Sequence, residues 1–297
     1  MSAKQAPFLI RFRRYQKARF PVAVLVVSLI PAILSSVAVT TEAFSYTTAI
    51  TALIVSVSYL LHIRIIDEHR DFEHDNNHYK NRPIQKGVVT KEELRSVDGV
   101  LVGIILGLSL VSNFASLLVA LSMLGYSWLC GKEFFFGERL RRHFFLYNSV
   151  NLVQMILMQV WVYSLLAGTI PLTPILTFHF LFTSVGTVVF EFMRKVKVPG
   201  EDGTGKDTYT HYLGFSRSLL VYVLLSLVSM GLWGAILSTL GPVPFTYALI
   251  GILGVLSILG WTYAHYKKRT ARTEQGIQGS YLILYGALNL IIYLAII

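Results

Sequence analysis

The sequence predicts an all-α, polytopic membrane protein of nine transmembrane helices, with its N terminus inside and its C terminus outside. Three observations carry that expectation. Apolar runs of about 20 residues, the length that crosses a bilayer as a helix, recur along the whole chain. Of the 297 residues 54% are hydrophobic and only 14% charged, with a mean hydropathy of +0.58, where a soluble domain carries about a quarter charged residues. The third is the distribution of Lys and Arg, which fall on one side of the alternating connections.

In chain order the spans are expected at 20–39, 47–66, 97–112, 114–131, 144–168, 172–193, 216–238, 245–265 and 279–297. The first begins late, is long and ends without a small-residue cleavage site, so it reads as a retained span rather than a signal peptide. The third is short, and only Ser112 and Asn113 separate it from the fourth. The charged stretch 132–143 separates the fourth from the fifth. One membrane domain covers 1–297.

Orientation follows from the basic residues. The N-terminal arm carries Lys4, Arg11, Arg13, Arg14, Lys17 and Arg19. With this arm inside, the connections 67–96, 132–143, 194–215 and 266–278 are also inside and rich in Lys and Arg. The outer connections 40–46, 112–113, 169–171 and 239–244 hold neither. The net charge of +10 and pI of about 9.6 are thereby accounted for by the positive-inside bias, and nucleic acid is not needed as a partner. Membrane lipids are. The single cysteine, Cys130, allows no disulfide within the chain and no cysteine-based zinc site.

The acids are more selective. Among the 16, only Glu42 lies outside, and most of the rest sit in or beside the inner connections after the second and sixth spans. Four spans separate the two runs, which suggests two related halves, each bringing an acidic helix end to one site. In the first run, Asp67, Asp71 and Asp75 fall at i, i+4 and i+8, on one face if the second helix continues past Ile66. Like charges at that spacing repel unless a cation compensates them. Oxygen ligands on one face suit Mg²⁺, which takes one or two carboxylates plus substrate phosphates. The plainer reading is a solvated helix end whose acids pair with Arg70, Lys80 and Arg82. Ionisable groups crowded at a membrane boundary weigh toward function. Then Lys80-Asn81-Arg82-Pro83-Ile84-Gln85-Lys86-Gly87 turns the chain, and Arg82 and Lys86 could face metal-bound phosphates.

Asp67-Glu68-x-x-Asp71-x-x-x-Asp75, followed by Asn81-Arg82-Pro83 and Gly87, resembles the first signature of the UbiA superfamily of intramembrane prenyltransferases. That signature reads Asn-Asp-x-x-Asp-x-x-x-Asp, then Arg-Pro and Gly, at the end of the second of nine helices. Asp67 stands for the usual Asn and Glu68 for the usual first Asp. The family's sixth helix carries a second acidic motif that binds another metal. Glu191 falls at its first position, and Glu201, Asp202 and Asp207 follow. Lys195 stands where the family often has Asp, so Arg194 and Lys195 are assigned to phosphate. The Phe190-Glu191-x-x-Arg194-Lys195 and Asp207-Thr208-Tyr209 pattern is similar to a bacterial branch of unassigned substrate.

The resemblance implies a nine-helix bundle around a cavity open to the cytoplasm, in a bacterial or archaeal cytoplasmic membrane. Mg²⁺ is expected on Asp67, Glu68, Asp71, Asp75, Glu191 and Asp207, and the diphosphate of a prenyl donor on Arg82, Lys86, Arg194, Lys195 and Lys206. Asp71, Asp75 and Glu191 are the expected catalytic acids. The prenyl group is expected to pass to an aromatic or other small lipophilic-pathway acceptor. Two alternatives stay open: a related transferase placing a phosphorylated sugar on a lipid carrier, and a cation transporter or lipid-binding protein. Acids at the span ends rather than mid-membrane weigh against transport.

Other features weigh less. Glu191 could simply pair with Arg194 at i+3, and Asp207 could be a helix cap. His69, His74 and His78 cluster beside the first acids, but a membrane di-iron oxidase needs more histidine boxes than His62, His143, His179, His211 and His265 can form. The aromatic and basic stretch around Phe134 and Arg141 reads as a membrane-surface anchor. Arg19, ahead of Pro21, resembles a basic position near the family's acceptor pocket, and serves equally as an inside anchor.

Overall fold

A computed structural model describes residues 6–40, 44–165, 172–198 and 208–297. Among these the chain is helical throughout, with no strand. The helices are α1 (Phe8–Arg19), α2 (Val22–Ala38), α3 (Tyr46–Arg70), α4 (Phe72–His78), α5 (Lys91–Ser112), α6 (Phe114–Gly131), α7 (Gly137–Arg142), α8 (Phe144–Ser164), α9 (Pro174–Arg194), α10 (Tyr209–Leu213), α11 (Phe215–Leu240), α12 (Phe245–Lys268) and α13 (Ala271–Ile296), with a 3-10 turn at Glu133–Phe135.

Eight of these, α3, α5, α6, α8, α9, α11, α12 and α13, are long and apolar enough to cross a membrane. Counting α1 and α2 together, a pair bent by 57°, brings the number to 9. Each expected span corresponds to one helix, but the ends differ. α5 starts at Lys91 rather than 97 because Thr90 and Glu93 form a capping box there. α13 starts at Ala271 rather than 279, capped by Thr270 and Thr273. Hydropathy marks the apolar stretch of a helix, whereas caps mark where its backbone begins. The third span is therefore not short. The narrow Ser112–Asn113 boundary is a true break: Asn113 is extended, its side chain accepts from Ser116 N at 2.8 Å, and its amide donates to the Ser164 and Leu165 carbonyls. From Phe8 to Arg19 the basic N-terminal arm is the helix α1.

The chain divides into two compact units. The first holds α1, the beginning of α2 up to Ile30, and α3 to α8. The second holds the rest of α2 from Pro31, and α9 to α13.

In the first unit, Tyr15 and Phe20 pack with Leu61, Ile65, Ile84, Val89, Leu94 and Leu101 in one buried cluster. This seats α1 against α3 and the segment ahead of α5. Arg11 reinforces it by pairing with Glu93 and donating to Val88 O. Deeper in the same unit, His62 of α3 contacts Asp98 of α5 at 2.6 Å and Ser127 of α6 at 2.8 Å. Tyr59 donates to Met123 O, and Trp161 to Ser109 Oγ.

In the second unit, α9, α11 and α13 meet around Phe182, Phe190, Tyr222, Tyr281 and Tyr285. Tyr222 and Trp233 of α11 donate to the Ile277 and Leu288 carbonyls of α13. Ser35 bonds both Asn289 and His179. α12 and α13 approach closely at two glycines: a Cβ on Gly276 would lie 2.1 Å from Trp261, and one on Gly254 2.2 Å from Leu284. Small residues permit this approach where lipid gives no hydrophobic drive for helix association.

Candidate functional site

The first acidic run begins inside α3 and continues through α4. Asp71 has φ −92° and ψ 6° and separates the two helices. The backbone pattern survives this bend, since Asp71 N bonds Asp67 O, Asp75 N bonds Asp71 O and Tyr79 N bonds Asp75 O, all at 2.8–2.9 Å. The one-turn spacing expected of Asp67, Asp71 and Asp75 is therefore kept.

Their surroundings differ. The Asp67 and Asp71 side chains are 29% and 36% exposed and both engage the guanidinium of Arg70, Asp67 at 2.8 Å and Asp71 through two bonds at 2.9 and 3.1 Å. Arg70 is steadied by the Tyr147 ring, 5.8 Å away. Asp75, only 4% exposed, is paired with Arg82. Burial pushes the Asp75 carboxyl above its usual range, and the charge of Arg82 opposes that shift. Arg82 in turn lies 4.0 Å over the Tyr79 ring.

Glu68 faces elsewhere. Its side chain is 1% exposed and accepts from Arg19 Nε at 2.8 Å and from Arg64 at 2.7 and 3.1 Å. Arg19 thus serves the acid cluster directly, from a separate helix. Arg64 was not singled out in the sequence, although its i, i+4 spacing to Glu68 was the available signal.

The turn after α4 forms as Pro and Gly suggested. Val88 N bonds Pro83 O and Gly87 N bonds Ile84 O, while Gly87 takes φ +67°, a left-handed conformation suited to glycine. Ile84 is buried and anchors the turn, and Lys86 is exposed. His69 uses both ring nitrogens on backbone, contacting Ile65 O and Lys91 O.

In the second unit, Glu191 sits one turn before the end of α9. It pairs with Arg194 at 2.7 Å and Lys195 at 2.8 Å, which includes the plain i, i+3 pairing the spacing allowed. Lys197 nearby pairs with Glu274. Glu201, Asp202, Lys206 and Asp207 lie outside the described residues.

Among the described residues, no three His, Cys, Asp or Glu side chains converge as a ready-made metal cage. The donor set still fits a hard cation in a narrower form than four carboxylates. Asp67 and Asp71 are half-exposed, one turn apart, and already bracket the cationic Arg70 head. Mg²⁺ uses one or two carboxylates and takes its other oxygens from water and phosphate.

The UbiA prenyltransferase family model matches residues 28–283. No curated protein matches the chain. Among solved structures, one described for digeranylgeranylglyceryl phosphate synthase in membranes superposes with a TM-score of 0.62 at 14% identity, covering 96% of this chain and 99% of that one. The apo structure of a UbiA homolog from Aeropyrum pernix K1 gives 0.62 at 13% identity, covering 91% and 98%. A UbiA homolog from Archaeoglobus fulgidus bound to DMAPP and Mg²⁺ gives 0.58 at 14%, covering 94% and 98%. At such identities these likenesses concern the fold, and the matched family model carries the assignment. The chain belongs to the UbiA prenyltransferase family.

Proposed function

We propose that this protein is a Mg²⁺-dependent intramembrane prenyltransferase that moves an isoprenoid group from a prenyl diphosphate to a small lipophilic acceptor. The observation that carries the reading is the pair of half-exposed carboxylates, Asp67 and Asp71, bracketing a cation one short helix ahead of the Arg82–Lys86 turn. An Archaeoglobus fulgidus homolog of the same fold has been solved with GPP and Mg²⁺.

Asp67 and Asp71 would hold Mg²⁺, which when bound supplies positive charge to the diphosphate oxygens. Arg82 and the exposed Lys86 contribute further positive charge at the turn, Arg82 held in place by Asp75 and Tyr79. The bond between the allylic carbon and its diphosphate oxygen breaks, the electron pair leaves with diphosphate, the acceptor attacks the carbon and loses a proton. Glu68 positions Arg19 and Arg64 beside this end of α3 rather than meeting solvent. The roles given to Glu191, Arg194, Lys195, Lys206 and Asp207 rest on the resemblance of the second motif. The charge asymmetry supports nine spans with the N terminus and the acid cluster on the cytoplasmic side.

The test is diphosphate release from a panel of prenyl diphosphates with Mg²⁺ and purified protein. Asp71→Asn is expected to lower turnover by at least about 100-fold while the protein stays folded, the scale of losing one preorganised electrostatic group. Undiminished Mg²⁺-dependent turnover in that variant would overturn the assignment.

A further inference from the structure

The proposed chemistry gives Arg11 no part, yet its guanidinium is fully engaged. It donates to Ala6 O at 3.0 Å, to Val88 O at 3.0 Å, and through two nitrogens to the Glu93 carboxylate. Its side chain is only 13% exposed. An arginine that merely marks the inner side of a membrane leaves its charge in water or lipid headgroups. Arg11 instead reaches 77 residues along the chain, to the connection between α4 and α5. That connection carries Arg82 and Lys86. Its backbone closes through Lys86 N on Arg82 O, Gly87 N on Ile84 O and Val88 N on Pro83 O. Val88 therefore holds the turn by its N–H and is itself held by Arg11 through its carbonyl. Glu93 fixes the same guanidinium from the first turn of α5, and also accepts from Thr90 N at 2.9 Å. Tyr15, one turn further along α1, is buried in one cluster with Ile84 and Val89, which bracket Lys86. His69 also bonds a carbonyl nearby, Lys91 O, but Lys91 already belongs to α5, so that contact fixes the helix rather than the turn.

From this geometry we infer that Arg11 is a positioning residue for the donor diphosphate, a role that rests on the prenyl-diphosphate reading of the turn. By gripping Val88 and Glu93 together it sets the backbone from which the exposed Lys86 reaches the phosphates. Asp75 and Tyr79 do the same for Arg82 at the other end of the turn. The fork is what the position requires. A planar guanidinium meets a carboxylate with two nitrogens and still offers a hydrogen to the Val88 carbonyl, whereas a lysine ammonium is a single point of charge without that geometry. Arg11→Lys therefore keeps the charge opposite Glu93 and loses the simultaneous hold on Val88. A residue needed only for stability is rescued by that change. A residue needed for the shape of the turn is not.

The experiment uses the full-length protein in detergent with Mg²⁺, and inorganic diphosphate as the probe, so that donor chain length does not enter. Calorimetry reads the affinity, and hydrogen–deuterium exchange over 82–88 reads the turn. Arg11→Gln is expected to weaken diphosphate binding about 10-fold, the scale of losing an outer partner that orients a binding group. Exchange at Gly87 and Val88 should quicken. Arg11→Lys should recover the thermal midpoint of the parent and leave the affinity low. In a Lys86→Ala background, Arg11→Gln should cost less than about 2-fold further, because residues that act through one another are not additive. Equal affinity in Arg11→Gln and the parent would overturn the positioning role and leave the prenyl-diphosphate reading standing. Equal losses with and without Lys86→Ala would overturn it as well, since Arg11 would then act elsewhere. If Arg11→Gln does not fold, Arg11→Lys decides, and an affinity matching the parent overturns the role. No Mg²⁺-dependent diphosphate binding by the parent would overturn the assignment of the turn to diphosphate, and the role of Arg11 with it, whatever the release assay shows of prenyl transfer.

Discussion

Position 68 shows how one step along a helix redirects a carboxylate. Glu68 is the longer acid among motif positions 67, 68, 71 and 75, and it reaches back to Arg19 and Arg64 instead of outward with Asp67 and Asp71. A buried acid shared by two guanidinium groups has a different energetic weight from half-exposed acids sharing one. Glu68→Ala leaves two partly buried arginines without their counter-charge, a change that costs about 3 kcal/mol or more. Asp67→Ala removes a pair of the half-exposed kind, expected to cost about 1 kcal/mol or less. Thermal unfolding of the two variants in one detergent should therefore rank Glu68→Ala well below Asp67→Ala, with Asp67→Ala losing Mg²⁺ dependence instead. Equal midpoints would show that the Arg19 and Arg64 pairing adds no stability. The sequence identified these acids as a group and named Arg70 and Arg82 as available partners. It could not divide them, because Arg19 lies on α1, 49 residues from Glu68.

At the scale of elements, short local signals fared better than long-range ones. The Pro83–Gly87 turn, the pairing of Glu191 with Arg194, and the break at Asn113 all involve residues within a few positions of each other, and each is present. The helix α1 was read only as a basic arm, because its inward residues Phe8, Phe12 and Tyr15 become a face only once Leu61, Ile65 and Leu94 are there to receive them. In the sequence His62 counted only as a histidine outside any box. It instead joins α3, α5 and α6 through Asp98 and Ser127, partners 36 and 65 residues away. A polar cross-link between spans has few alternatives in an apolar solvent. His62→Leu leaves Asp98 without that partner and is expected to lower stability by about 1–2 kcal/mol. A thermal midpoint equal to that of the parent would show that the link is dispensable. Between α12 and α13 the constraint is steric. Gly276→Leu would drive a side chain into the Trp261 ring, and a loss of about 1–3 kcal/mol is expected from such overpacking. Gly99→Ala, where a Cβ meets nothing within 4 Å, serves as the control in the same melting experiment.

At the scale of the whole molecule, charge placement makes a topology that can be measured. Cys130 is buried and is the only cysteine, so an impermeant maleimide should report newly introduced cysteines with little background. Thr239→Cys, at the end of α11, is expected to label in intact cells. Lys268→Cys, at the end of α12, should label only after the membrane is opened. The reverse pattern would invert the proposed orientation.

The sequence by itself determined the membrane solvent, the succession of apolar helices and the location of the first acidic run, because hydropathy, charge bias and i, i+4 spacing are local properties of the chain. It also supplied the motif by which the family was named. The tertiary structure decided how the acids divide, with Asp67 and Asp71 half-open on Arg70 and Glu68 and Asp75 buried on other arginines. It also decided that α1 supplies one of those arginines. The physical reason is the same in each case. A side chain's neighbours across helices are set by packing, and packing sets both which carboxylate meets water and which meets a buried counter-charge.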